Sequence, residues 1–524
     1  MDDARYSDLI KAVSAFRRYA HPERTSGWEE RFRFGISDIE QVFETAVHGD
    51  PWLLPPQVAQ RELHPEGEYR ADAIATDLPA ASAVQIAQQV RARALSPIEI
   101  AKSVLTRIEA HRHLNAFITV DPARVTDDAE ELAIRLKRGE DIGPLGGVPV
   151  AIKDLMSIRG YPLTAGSRAI EAKIQARDAP LVARLREAGA LIVGTTNLHE
   201  LAFGVTSANP HFGAVQNPRM PGHIPGGSSG GSAAALVAGL AAVTVGSCTG
   251  GSIRQPAACC GVVGFKGTWG AVPTEGVVPL AWSLDHVGPL TRSVEDAALA
   301  FEVMAALPVH STLPPSSSMP PRIVRPRQFF FDLLEDEVGG VIDRALPALE
   351  KAGASLVPCD IPGIELAPGI QLITIGAEAT QANWHLLKEH GDKLGEDVRV
   401  RLEIGQFYLA ADYIKAQQLR RQVRASVLAA FGDADVMLVP AMPVLPPKNG
   451  TTTVRIGGRD MHVAPLLTRF TSPFNFCGFP AISLPCGKAG NGAPVNVQLV
   501  GRPGADARVL QAARWCERVF AEQA

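Results

Sequence analysis

Three serines in two glycine-rich clusters could do nucleophilic chemistry. Ser228 and Ser229 lie in GGSSGGS at residues 226–232, and Ser252 closes TGGS at residues 249–252. Glycine serves where backbone needs unusual dihedrals or close approach. A hydroxyl held among free backbone N–H groups is the layout of a nucleophile beside an oxyanion hole. Between the clusters runs an apolar, alanine-rich segment, 233–245, which reads as a buried helix. A flexible Gly/Ser linker would not enclose such a run. Upstream, Gly146–Gly147–Val148–Pro149–Val150–Ala151–Ile152–Lys153–Asp154 reads as a short buried strand ending in a charge pair, which makes Lys153 a candidate base. A lysine in that place is more often a surface exit.

Two other motifs fail here. A phosphate-binding P-loop needs Lys and then Ser or Thr after its last glycine, and neither cluster has them. Residues 226–230 do match G-x-S-x-G, but that elbow should follow a strand. The preceding Asn217–Pro218–Arg219–Met220–Pro221–Gly222–His223–Ile224–Pro225 cannot be a central strand. His199, His211, His223 and His286 are isolated in the sequence, so a Ser–His–Asp arrangement finds no support there.

The elements that must carry these residues form a large chain. It has 524 residues, 46% hydrophobic and 20% charged, with a net charge of −4. A sizeable core is available, and no basic block suggests a nucleic acid. The seven cysteines are scattered and include no C-x-x-C pair, so neither a zinc framework nor a disulfide scaffold is expected. The acidic start Met1–Asp2–Asp3–Ala4–Arg5 lacks the apolar run of a secretory signal. The longest apolar stretch falls short of the roughly 20 residues a membrane span needs. A cytoplasmic protein in a reducing compartment, with no membrane contact, is the expectation.

Periodicity predicts helices over 6–20 and 37–47, and residues 61–76 are charged. Residues 1–75 are therefore expected to form a small N-terminal helical appendage and linker, and 76–524 the main domain. Ser96–Pro97 should open a helix to about His111. Asp178–Ala179–Pro180 should cap another through Glu187, followed by a strand at 190–194. Helices at 233–242 and 341–353 alternate with strands at 322–325, 354–358, 435–440, 480–485 and 495–500. The expected class is α/β, a large mixed β-sheet covered on both faces by helices. Residues 300–430 read as a helix-rich insertion that could shape a substrate pocket.

With these pieces in view, the chain resembles the amidase signature family. The matching segments are Lys153–Asp154, GGSSGGSAAA from Gly226, TGGSIRQPA from Thr249, Gly264–Phe265–Lys266, SLDHVGPLTRSVEDA from Ser283 and NFCGFPAISLPCG from Asn475. They span residue 80 to the C-terminus. The resemblance implies a Ser–cis-Ser–Lys triad, with Ser252 as nucleophile, Ser228 as the bridging serine after a cis peptide, and Lys153 as base. It further implies an oxyanion hole from the N–H groups of Thr249, Gly250, Gly251 and Ser252, a small-molecule amide substrate, and neither metal nor organic cofactor. Arg254 matches a family arginine, either a structural ion pair or a substrate contact. Ser229 is expected to hydrogen-bond within the triad loop, Asp154 to orient the lysine or a loop, and Gln255 and Tyr413 are pocket candidates.

Two departures stand out. The family usually has Asp where this chain has Cys248, and Pro where it has Gly267, a change expected only to loosen a turn. The implied activity is hydrolysis of a non-peptide amide, with carbamate or urea-type substrates as variants. The alternatives are the catalytic subunit of a glutamine-dependent amidotransferase and an inactive binding protein on the same scaffold. A homo-dimer is compatible with the N-terminal appendage.

Overall fold

The structure is a computed structural model, and it describes residues 81–314 and 319–522. The expected N-terminal appendage, including both of its helices, lies outside the described residues.

One 11-stranded mixed sheet organises the molecule. Its strands in chain order are β1 (Phe117–Thr119), β2 (Pro149–Lys153), β3 (Leu191–Thr196), β4 (Val243–Ser247), β5 (Val263–Lys266), β6 (Val287–Thr291), β7 (Arg322–Pro326), β8 (Ser355–Cys359), β9 (Val436–Pro440), β10 (Ala481–Lys488) and β11 (Pro494–Val500). Their order across the sheet is β1-β3-β2-β4-β6-β5-β10-β11-β9-β7-β8. β3, β2 and β4 run parallel and side by side, and β6 turns antiparallel next to β4. Every residue of β2, β3 and β4 is buried. Strands covered on both faces read as near-continuous apolar runs, which is why the run ending at Lys153 is legible in the sequence.

The helix expected from Ser96 spans Pro97–Ala110, and its capping box joins Ser96 and Glu99. Three expectations are corrected. The helix placed at 233–242 spans Gly230–Val237 instead. Gly239 takes a left-handed φ of +67° and ends it. The chain turns through 238–242 and the run ends in β4, so one hydrophobic run serves two elements. Asp178 does not cap the helix Pro180–Glu187: Ala179 holds the cap position, and the Asp178 carboxylate accepts from the Arg159 N–H and from Arg186. Gly267 does more than loosen a turn, because a Cβ there would fall 2.6 Å from the Phe301 ring. That ring packs edge-on against Phe265, with centroids 4.9 Å apart.

Residues 300–430 are helix-rich, as expected, but β7 and β8 extend the main sheet from within them. The helices Ala367–Ala382 and Ala410–Ala430 pack on each other, and Gln371 of the first reaches the Thr249 carbonyl. Among the described residues, no helix is long and apolar enough to cross a membrane, and no group of three or more His, Cys, Asp or Glu is placed to hold a metal ion.

Candidate active site

The site forms where the parallel strands end. β2 and β4 run side by side in the same direction, so Lys153 and Ser247, their last residues, come together at one edge. Lys153 is fully buried. Its Nζ lies 2.7 Å from Ser228 Oγ, 3.0 Å from Ser229 Oγ and 2.8 Å from Ser247 Oγ. Burial drives its pKa down from 10.5 to about 7, and Cys248 and Asp285 offset part of that fall. Desolvation disfavours the charged form.

Ser228 and Ser229 lie just before the helix Gly230–Val237, and the Gly227–Ser228 peptide is cis. Ser207 laces this turn: its hydroxyl donates to the Gly226 carbonyl at 2.9 Å and accepts from the Gly230 N–H at 3.0 Å. The His199 N–H donates to the Ser228 carbonyl. Ser229 Oγ donates to the Ser247 carbonyl. A neutral amine has two N–H donors and one lone pair. With the Ser229 proton committed elsewhere, Ser228 or Ser247 must offer its own proton to that lone pair.

The second cluster forms a turn between β4 and the helix Arg254–Cys260. Among the described residues, the N–H groups of Thr249, Gly250, Gly251 and Ser252 have no acceptor. The carbonyl side of the turn is pinned instead. Thr471 Oγ1 donates to the Gly250 carbonyl at 2.6 Å and Gln371 Nε2 to the Thr249 carbonyl at 3.4 Å. Thr249 Oγ1 donates to Asp285, whose other oxygen accepts from the Leu280 and Ala281 N–H groups. Gly251 has φ +150°, and a Cβ there would fall 2.2 Å from Thr471 Oγ1. Ser252 is 8% exposed. Among the described residues no hydrogen bond joins its hydroxyl to Ser228.

Arg254 is fully buried and bonds Gln498, Asn475 and Cys248. Asp154 holds a loop: its carboxylate accepts from the Thr164 hydroxyl and N–H, and burial raises its pKa to about 6. Gln255 is buried against Leu467 and Thr471, and Tyr413 donates to Glu378. Sequence reasoning missed Ser247, Ser207, Asp285 and Gln371. Ser247 looks like an ordinary strand end, and the others sit far from the turns they hold. A cavity of about 80 Å³ adjoins Ser247 and Thr249 and has Leu155, Val278, Leu280 and Trp282 in its wall. A larger one, about 650 Å³, opens at Arg168, His211 and Lys393, away from these serines.

A family model described as Amidase matches residues 99–510. The chain belongs to the amidase signature family. It is 35% identical over 477 residues to a glutamyl-tRNA(Gln) amidotransferase subunit of Ralstonia nicotianae, a match covering 82% of this chain and 95% of that one. It is also 35% identical over 433 residues to an amidase of Pseudomonas putida, 78% of this chain and 89% of that one. A crystal structure of an amidase superposes with TM-score 0.80 at 34% identity, covering 84% of this chain and 99% of the other. Membership places the chain among the amide carbon–nitrogen hydrolases.

Proposed function

We propose that the chain hydrolyses a small-molecule amide through an acyl-enzyme on Ser252, with Ser228 relaying a proton to Lys153. The observation that carries this reading is Lys153: a fully buried amine, pKa about 7, with its nitrogen against three hydroxyls. A serine hydroxyl needs a base to take its proton, and a base works best with a pKa near the working pH. The steps follow. Ser252 Oγ attacks the carbonyl carbon and passes its proton to Ser228, which passes its own to Lys153. The negative oxygen settles on the unpaired N–H groups of residues 249–252. The C–N bond breaks, and the amine leaves with the proton returned through Ser228. Water then repeats the sequence, releasing the acid and freeing Ser252. Catalytic hydrogen bonds are often long in substrate-free proteins and tighten on binding, so Ser228 and Ser252 need meet only in the complex.

The apolar wall beside Ser247 and Thr249 suits a small amide with an apolar or aryl group. A second reading, the catalytic subunit of an amidotransferase fed by glutamine, is favoured by the name of the Ralstonia relative. One experiment separates the two: product release from primary amides, anilides, carbamates and glutamine by the purified chain alone, with Ser252→Ala alongside. Turnover of simple amides that vanishes in the variant supports the stand-alone hydrolase. Turnover that survives in the variant overturns the serine assignment. Activity only when a partner protein is added supports the second reading.

A further inference from the structure

The turn that carries Ser252 is tied at its base by a sulfur. Cys248 directly precedes Thr249 and is fully buried. Its backbone continues the β4–β6 pairing: its N–H donates to the His286 carbonyl at 2.8 Å, and its carbonyl accepts from the His286 N–H. Its Sγ lies 3.6 Å from Arg254 Nη2 and 3.7 Å from Asn475 Oδ1. The sulfur thus spans the turn, joining the residue before it to Arg254 beyond it.

Charge balance gives that sulfur a second task. Arg254 is fully buried, and its other partners, Gln498 and Asn475, are neutral amides. Its Nε has no partner among the described residues. Lys266 on β5 is also fully buried and donates only to the carbonyls of Phe479 and Gly267. No carboxylate touches either cation among the described residues. An unpaired guanidinium in the interior is strongly disfavoured, and removing one partner of a buried pair is among the most damaging changes. Cys248 is the acidic group placed against it.

We propose that Cys248 is held as a thiolate that neutralises Arg254 and, by holding the guanidinium beyond the turn, shapes residues 249–252: a positioning residue for the oxyanion. The positioning half rests on the proposed reading of that turn; the thiolate half does not. The groups facing Cys248 come from neighbouring elements: Arg254 beyond the turn, Lys266 on β5, His286 before β6, Lys153 on β2, and Asn475 from the C-terminal part. Burial raises the thiol's pKa, but Arg254 and Lys266, with the Ile253 N–H, outweigh it and bring it below the ordinary value. His286 is driven well below its usual value by burial and by Lys266, so it stays neutral and adds no competing charge. The other six cysteines are all shifted upward, chiefly by burial.

The test reads thiolate ultraviolet absorbance of the folded chain between about pH 6 and 9, with C248S as reference. One thiolate per chain, absent from C248S, is expected. No thiolate signal in the wild type at neutral pH overturns the proposal, whether or not C248S folds. Turnover is then compared in C248D, C248S and C248A. C248D should stay within about threefold of wild type, while the other two lose about 10²-fold in kcat with KM little changed, the size of a lost oxyanion donor. Wild-type turnover in C248S, or C248D no better than C248A, overturns the positioning role. Ser252→Ala should abolish turnover and leave the thiolate absorbance intact. Should it keep its turnover, the nucleophile reading fails on its own, while the absorbance still decides the thiolate.

Discussion

Two lysines of this chain are near twins by environment and opposites by chemistry. Lys153 ends β2 and Lys266 ends β5, and both are fully buried. Burial drives both pKa values down from 10.5 to about 7; at Lys266 the Arg254 charge adds to the fall. What differs is what their nitrogens meet. Lys153 faces three hydroxyls, which can accept or donate. Lys266 faces two backbone carbonyls, which only accept. A neutral Lys153 can receive a proton from its neighbours, whereas Lys266 has nothing to receive. A depressed pKa alone therefore does not mark a base; the protons within reach do.

The comparison is broken most directly by truncating each side. Lys153→Met and Ser252→Ala should each lower kcat by about 10⁴-fold or more, in line with the loss of an acyl-transfer nucleophile or base. Lys266→Met should lower it by less than about tenfold, measured on the same amide. Equal losses in the two lysine variants would dissolve the distinction. Next in size is Gly251→Ala. Its Cβ would press on Thr471 Oγ1 and Gln255, and a displaced oxyanion donor costs about 10²-fold in kcat; circular dichroism would check that the fold survives.

A pH profile sharpens the contrast further. Activity should rise as Lys153 loses its proton, giving kcat/KM an acid limb near pH 7. Lys266→Met should keep that limb where it is. Ser247→Ala removes a hydroxyl that accepts from the lysine, which favours the neutral amine, so the limb should move to lower pH. A limb unmoved in Ser247→Ala would mean that another group is titrating.

A further effect is one the two lysines should share. A lysine with a folded pKa below its unfolded one binds fewer protons folded than unfolded between those values, so it disfavours folding as pH falls through that window. The penalty grows from about pH 10 down to about 7 and then levels. Both methionine variants should thus gain stability relative to wild type, more at neutral pH than at pH 10, read as thermal midpoints at each pH. A gain that does not depend on pH would show that the buried amines do not titrate as described.

Much of this is legible in the chain itself. The two glycine–serine clusters, the buried strand ending at Lys153, and the strands at 435–440 and 495–500 rest on local composition and periodicity, and the structure places elements there. The helix expected at 233–242 is misplaced because an apolar run carries no mark of where helix gives way to strand; only Gly239 hints at it. Ser247 escapes notice because a serine ending a strand is ordinary until the neighbouring strand is known. Lys266 draws no attention beyond its motif, since nothing local says that it is as buried as Lys153.

The sequence alone determined the serines and the lysine proposed for acyl transfer, the small residues around them and the α/β alternation. These are properties of short segments, set by side-chain chemistry and backbone permissiveness. The tertiary structure decided the strand order that sets Lys153 beside Ser247, the reach of Thr471 and Gln371 to the turn at 249–252, and which buried lysine meets hydroxyls rather than carbonyls. Those outcomes depend on contacts between residues far apart in the chain, and packing of the whole core selects them.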